Sequence, residues 1–387
     1  MQQFKVRSVL MPVLIIVNCV VAVITFVAAY GGKVPPSVTA APAMVAMLFP
    51  ACVVLTLLLL VVSAFVNRKI ALIPLLSLVV TFPMLRAIAP MHFASTPPAD
   101  LDSENSFTMM SYNVGNLNDW TRRNDPPVDY STSPRDTTLT NPTIAYMLQE
   151  APDVACVQEM SPPICDFTKV TMMPYIDLYM PQIRAIESIF PNRMGQHYEL
   201  VLSHYPMRYV ELRQIPDQVC SFGGAVLNIH GREVLFVSAH FASLGLSDND
   251  KRLYQDLTHG DVTSRSDMKR VRWQLLSKLA AAMRQREYQA KFVCEQIDSL
   301  NYENVIIAGD FNDIPECYAM RVLRGAGFRN AFEDAGTVTQ HTFHDRRFYF
   351  HIDHILYRGN MRAVAYRSPR IPYSDHYPVL ATFEFTD

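Results

Sequence analysis

The first ninety residues contain no aspartate or glutamate and only six basic residues, Lys5, Arg7, Lys33, Arg68, Lys69 and Arg86, within almost continuous apolar sequence. A segment so poor in charge excludes an ordinary soluble domain and points to a bilayer. Removing those six from the chain's 34 basic residues leaves 28 against 36 acidic ones, so the remainder carries a formal charge of about −8 and is soluble in character. The five cysteines after residue 90 (Cys156, Cys165, Cys220, Cys294 and Cys317) form no Cys-x-x-Cys pair or metal-finger spacing, and an odd number cannot all pair with one another. Cys156 lies in an apolar strand-like run and reads as a small hydrophobe without a catalytic role. No internal repeat is present.

Within residues 1–90, apolar stretches over 9–30, 43–66 and 70–88 each approach or exceed the roughly 20 residues that a helix needs to cross hydrocarbon. A cleaved signal peptide is the alternative for the first, but its apolar run is too long for a signal core and two more follow. The third is the weakest: it is short, holds Pro74 and Pro83, and ends near Arg86, so an interfacial or re-entrant placement competes with a full span. Lys5 and Arg7 precede the first stretch, and Arg68 and Lys69 separate the second from the third. Basic flanks stay cytoplasmic, so three spans predict an extracytoplasmic location for everything after residue 90.

Residues 91–105 read as a polar linker, and a second domain is expected over 106–387. Apolar runs of strand length recur at 107–112, 154–158, 198–203, 225–229, 234–239 and 305–308. The segment 264–300, with Val271, Leu275, Leu279, Met283 and Phe292 at near-helical spacing, predicts one helix or a broken pair. This is an α/β pattern, and 119–141 reads as a long polar surface loop.

Polar residues cluster where these strands end: Ser111-Tyr-Asn113-Val, Val157-Gln-Glu159, Gly309-Asp310-Phe-Asn312-Asp313 and Ser374-Asp375-His376-Tyr-Pro378, supported by Ser238-Ala-His240 and Ile352-Asp353-His354-Ile355. Singly, each is more often a cap or a turn former than a catalyst. Jointly and in this order, over residues 106–386, they resemble the endonuclease/exonuclease/phosphatase superfamily. The resemblance implies a four-layer α/β sandwich of two mixed β-sheets flanked by helices, here preceded by an α-helical membrane anchor. It also implies a metal-dependent phosphoric ester hydrolase with nuclease-like chemistry.

Hydrolysing a phosphate diester needs charge neutralisation, an activated water and help for the leaving oxygen. Glu159 matches the family's principal Mg²⁺ ligand, a hard carboxylate oxygen suited to Mg²⁺ or Mn²⁺. His376 matches the general base, and Asp353 the carboxylate that orients it. Asp310 and Asn312, two apart after a strand, are expected on one side of an extended backbone. By resemblance, Asp310 serves the nucleophile or the leaving group and Asn312 donates to a phosphate oxygen. His240 matches a phosphate-contacting histidine, while Asn113 and Asp375 match residues supporting the metal and the water, with Asp375 a second metal contact. Glu159 and His376 are both expected to face a wet cleft.

Three departures bear on substrate. Gly115 and Asn116 stand where abasic-site enzymes carry an acidic residue, His354 replaces a common tyrosine, and the Pro-Ala-Trp-Cys-Asp-Arg block of inositol phosphatases is missing. The substrate is thus expected to be a nucleic acid or a lipid headgroup ester, the latter as in sphingomyelinases. The net acidity of the domain weighs against nonspecific nucleic-acid binding. A membrane-tethered binding protein with degenerate catalysis is the alternative of another class, and the complete polar set argues against it.

Overall fold

The computed structural model describes residues 2–92, 97–98, 101–117, 120, 141–160, 184–196, 198–216, 221–245, 265–345 and 348–386. Most of the loop expected over 119–141, part of the linker over 91–105, and Cys165 and Cys220 lie outside the described residues. The chain divides into two compact units, Met1–Ala89 with Leu244–Tyr288 and Ile314–Val322, and Pro90–Ser243 with Gln289–Asp313 and Leu323–Asp387.

In the first unit the apolar sequence forms helices α1 (Gln2–Tyr30), α2 (Ala41–Ala46), α3 (Phe49–Val66) and α4 (Leu72–Ile88). The stretch expected over 43–66 is therefore broken into two helices. Pro42 and Pro50 each sit in a first turn, the one place where a missing N–H costs nothing. Val13, Ile16, Val20 and Val23 of α1, Leu58 and Phe65 of α3, and Leu72, Leu76 and Val79 of α4 are exposed. Polar groups lie inside instead. Asn18 Nδ2 donates to Ser63 Oγ at 3.1 Å, and the Thr25 and Thr56 hydroxyls meet at 3.0 Å. Polar side chains inward and large apolar ones outward reverse the order of a water-soluble bundle.

Among the described residues the second unit holds fourteen strands. They are β1 (Ser106–Asn113), β2 (Val154–Gln158), β3 (Asn192–Gln196), β4 (Glu199–Ser203), β5 (Met207–Val210), β6 (Ser221–Ile229), β7 (Arg232–His240), β8 (Asn304–Asp310), β9 (Arg329–Asn330), β10 (Phe343–Asp345), β11 (Phe348–Phe350), β12 (Asp353–Arg358), β13 (Met361–Arg367) and β14 (Val379–Phe385). One six-stranded sheet runs β13-β14-β1-β2-β4-β3, a second runs β5-β6-β7-β8-β12-β9, and β10 and β11 form a hairpin. Both sheets are mixed, with β1–β2 and β7–β8 parallel and the other neighbours antiparallel. The segment expected over 264–300 is a single unbroken helix, Arg265–Leu300.

The two sheets close on one apolar core, and alternate residues supply it: Phe107 and Met109, Val154 and Cys156, Ala225, Leu227 and Ile229, Val234 and Phe236, Ile306 and Ala308, Ile355 and Tyr357, and Val379 to Phe385 by twos. Phe107 stacks on Phe383 at 5.5 Å and meets Phe236 edge-on at 6.1 Å, bridging the sheets. Gly309 lets β8 approach β7, because a Cβ there would lie 1.8 Å from the Ala239 carbonyl oxygen. Phe107→Ala should lower stability by about 3–5 kcal/mol. Chemical denaturation of the purified protein checks this, and a change under 1 kcal/mol would mean that the ring is not a bridge.

Candidate functional site

The inward-facing series that builds the core does not stop where the apolar residues stop. Two further residues along β1, β2, β7 and β8 bring polar side chains to the same face. Ser111, Gln158 and Ser238 come first, with Gln158 Nε2 donating to Ser238 Oγ at 2.9 Å. Beyond that layer stand Asn113, His240 and Asp310, joined from other strands by Asp353 and Glu199. Strand register sets three of these side by side: His240 pairs with Asp310 across β7–β8, and Asp310 pairs with Asp353 across β8–β12.

Asn113 ties the two sheets together. Its Nδ2 donates to Glu159 Oε1 at 3.0 Å and to Asp310 Oδ2 at 3.1 Å, while its Oδ1 accepts from Gly115 N at 3.1 Å. Glu159 follows β2 in a left-handed conformation (φ 52°). Such a backbone costs a non-glycine residue on the order of 1–2 kcal/mol and is a recurrent mark of functional positions. Asn116 N donates to the Glu159 carbonyl at 2.8 Å and holds that turn.

Asn312 corrects an expectation. β8 ends at Asp310, and Asn312 is left-handed (φ 51°) rather than extended. The Asp310 side chain causes the turn: its Oδ1 accepts from Asn312 N at 2.8 Å, as short acidic side chains do. Asn312 therefore reaches Asp310 through the backbone, while its Nδ2 donates to the Phe241 carbonyl at 3.0 Å.

His376 Nδ1 lies 2.9 Å from Asp353 Oδ2, and its Nε2 lies 3.5 Å from Asp310 Oδ2. The carboxylate only accepts, so Nδ1 carries the proton. Thr342 Oγ1 accepts from Asp353 N at 3.0 Å, and the Phe343 ring packs 5.0 Å from that of His376. His376, Asp353 and Asp310 are buried, which overturns the expectation of a wet cleft around the histidine; the Glu159 side chain, 34% exposed, does face water. Burial alone would lower the His376 pKa, but the Asp353 and Asp310 charges outweigh it and hold the imidazole well above its ordinary value. Burial likewise raises the Asp310 pKa, opposed by the charge of His376.

His240 Nε2 stands 3.7 Å from both Glu159 Oε1 and Asp310 Oδ2, and its Nδ1 stands 3.6 Å from Glu199 Oε1. Burial works against its charge, yet the Glu199 carboxylate beside Nδ1 and the charges of Asp310 and Glu159 push its pKa up to about 9. Glu199 is fully buried and escapes motif reading because no signature surrounds it. Its place at the start of β4, in phase with inward-facing Val201, is the signal that strand parity holds.

Asp375 joins the other seven candidates through its charge and its neighbour's hydroxyl rather than through a direct hydrogen bond to one of them. Its Oδ1 accepts from Ser374 Oγ at 3.2 Å, and its charge raises the His376 pKa. Ser374 Oγ lies closer, at 2.9 Å, to the Asn113 carbonyl oxygen, and its one proton is shared between the two acceptors, so this segment is fastened to β1. His354 turns away from the site. Asn330 Nδ2 lies 3.3 Å from its Nδ1, and its Nε2 lies 2.9 Å from the Asp313 carbonyl. Burial lowers its pKa to about 4, so it serves as a neutral prop under the Asp310–Asp313 turn.

The donor set fits a hard divalent cation. Five carboxyl groups (Glu159, Glu199, Asp310, Asp353 and Asp375) surround two imidazoles, an acidic surplus that a dication would offset. Glu159 and Asp375 offer the more accessible oxygens. Ligand atoms of Asp310, Asp353 and His376 also lie within 4.8 Å of one another. That buried trio is already committed to its own hydrogen bond and charge pairing, so it reads better as a proton-handling group than as a metal nest.

The sequence profile of the endonuclease/exonuclease/phosphatase family matches residues 110–376, and that of a domain of unknown function (DUF8431) matches residues 11–88. No curated protein matches the chain. Among solved structures, a mannosyl-6-phosphatase of Bacteroides thetaiotaomicron is 18% identical with a TM-score of 0.45, covering 72% of this chain and all of its own. TDP2 of D. rerio complexed with a single-strand DNA product is 16% identical with a TM-score of 0.43, covering 73% of this chain and 100% of its own. Truncated TDP2 of Caenorhabditis elegans is 15% identical with a TM-score of 0.43, covering 72% and 98%.

Glu199→Gln should lower the pKa of His240 and Asp353→Asn that of His376, because each removes a carboxylate that favours the imidazolium while burial persists. NMR titration of the ring nitrogens checks both, and unmoved titrations would show that the pairings are wrong. The sign for stability follows. A raised histidine pKa contributes stability below about pH 6.5 that is lost as pH climbs through the folded value, about 9 for His240.

Proposed function

Because this chain belongs to the endonuclease/exonuclease/phosphatase family and is a phosphoric ester hydrolase, we propose that it hydrolyses a phosphodiester with histidine-activated water and Mg²⁺, or Mn²⁺, from a membrane anchor. The observation that carries the chemistry is the single chain of contacts running Glu159–Asn113–Asp310–His376–Asp353.

With Nδ1 committed to Asp353, His376 has only Nε2 with which to take a proton from water. The surrounding carboxylates favour the imidazolium that results. Asp310, 3.5 Å away, orients the attacking water and can share that proton. His240, held cationic by Glu199, donates to a non-bridging oxygen or to the leaving oxygen. Asn312 braces the turn and gives a further donor at the phosphate. A dication held by Glu159 and Asp375 would offset part of the acidic surplus, curb resting protonation of His376 and polarise the phosphoryl group.

For the anchor, the support is that α1, α3 and α4 expose valine and leucine while burying asparagine and threonine. Residues 1–90 then hold the domain of residues 106–387 at a bilayer through about three spans. The flanking Lys5, Arg7, Arg68 and Lys69 put that domain on the extracytoplasmic side. The favoured substrate is nucleic acid. A lipid headgroup ester is the second reading, supported by tethering at a lipid surface and by the acidity of the domain. Nuclease binding should weaken steeply with salt, whereas headgroup hydrolysis should follow lipid presentation.

Glu159→Gln should lower turnover at least about 10²-fold with little loss of stability, and excess Mg²⁺ should rescue it in part. His376→Ala should lose as much activity, remain deaf to Mg²⁺, and also cost about 3–5 kcal/mol by stranding Asp353. Full-length protein with a magnesium titration on DNA, RNA, sphingomyelin and simple esters checks this. Near wild-type rates in both variants would overturn the mechanism. Protease added to intact cells or spheroplasts should cleave the domain after residue 90. Protection until lysis would reverse the orientation.

A further inference from the structure

The helix Arg265–Leu300 starts in the same unit as the apolar helices, and there it displays Trp273, 63% exposed, beside exposed Leu276. Three residues apart, the two share a helix face. A bare tryptophan on water is unfavourable, and what covers it can be read from the way this helix is fastened within its unit.

The fastening is to the connection between α1 and α3. Glu287 accepts from Ser37 N at 2.8 Å and from Ser37 Oγ at 2.9 Å, and Arg284 Nε donates to the Pro36 carbonyl at 3.1 Å. Ala40 and Ala43 share an apolar cluster with Met283, joined by Met44 and Met47 on one side and Ala280 and Leu279 on the other. Numbers rising from 36 to 47 on one segment meet numbers falling from 287 to 279 on the other, so the two run antiparallel. At 1.5 Å per residue, Leu276 and Trp273 follow Leu279 by about 5 and 9 Å along the helix. Over the same distance the opposing segment passes exposed Leu48 and enters α3 at Phe49. Continued in the same antiparallel sense, the two segments would bring Trp273 toward the point where an apolar helix begins.

We infer that Trp273 and Leu276 form an interfacial contact with the bilayer, the indole seated at the headgroup boundary and the leucine against the first acyl carbons. This rests on the reading of α1, α3 and α4 as membrane spans. An indole suits that boundary, since its ring is apolar and its one N–H finds a carbonyl or a phosphate oxygen there. The partner is therefore a lipid surface, touched by the face of this helix that carries Trp273 and Leu276.

The chain has two tryptophans, so Trp120→Phe leaves Trp273 as the sole indole. The full-length variant is reconstituted into phosphatidylcholine/phosphatidylglycerol vesicles with or without acyl chains brominated near the headgroup. Membrane integration is scored separately by flotation after alkaline carbonate. The inference expects flotation, bromolipid quenching of Trp273 by about half or more, and weak quenching by aqueous iodide. Flotation with strong iodide quenching and no effect of bromolipid overturns the interfacial contact while leaving the anchor intact. Loss of flotation overturns both.

Discussion

Strand parity governs this molecule. Because successive side chains leave a strand on opposite faces, the residues that fill the core between the sheets and those that form the site belong to the same alternating series. Phe107 and Met109 lead to Asn113 on β1; Val234 and Phe236 lead to His240 on β7; Ile306 and Ala308 lead to Asp310 on β8. Chemistry begins where the apolar members of each series give way to polar ones. A one-residue slip of β8 would send Asp310 outward and Ile306 with it, so core packing and site geometry stand or fall together.

Such placement has an electrostatic cost, and the site meets it by pairing. Asp353 and Asp310 are nearly inaccessible, yet each faces an imidazole, and Asn113 donates to carboxylates on both sheets. Removing one partner leaves a charge stranded in a poor solvent, so single substitutions there would add a loss of stability to whatever they do to turnover. Glu159 differs because water reaches it, so its loss separates the two.

Much of this was legible in the sequence, and the limits have physical causes. The run 154–158 coincides with β2, since a short apolar stretch bounded by Pro152-Asp153 and Glu159 has one reading. β5 and β9, of four and two residues, are too short to show a period, and β3 is a polar edge strand. β14 does alternate, with Val379, Ala381, Phe383 and Phe385 inward, and falls outside the expected strands even so. Seven of the residues that the motifs name lie in the contact network or on its close flank, but Glu199 needed the partner strand to reveal it. Burial of His376 was invisible for a related reason: the covering ring, Phe343, comes from a hairpin whose pairing with residue 376 is nonlocal.

The left-handed backbone at Glu159 and Asn312 sets a trap for protein engineering. Glycine would relax Glu159 by about 1 kcal/mol, and asparagine, the residue already present at 312, would recover part of that. A library selected for thermal tolerance alone would be drawn toward those replacements, since strained functional positions are where stability is most easily regained. The carboxylate at 159 would be the first thing such a library discards, so stabilisation of this scaffold has to be selected with turnover in the same screen.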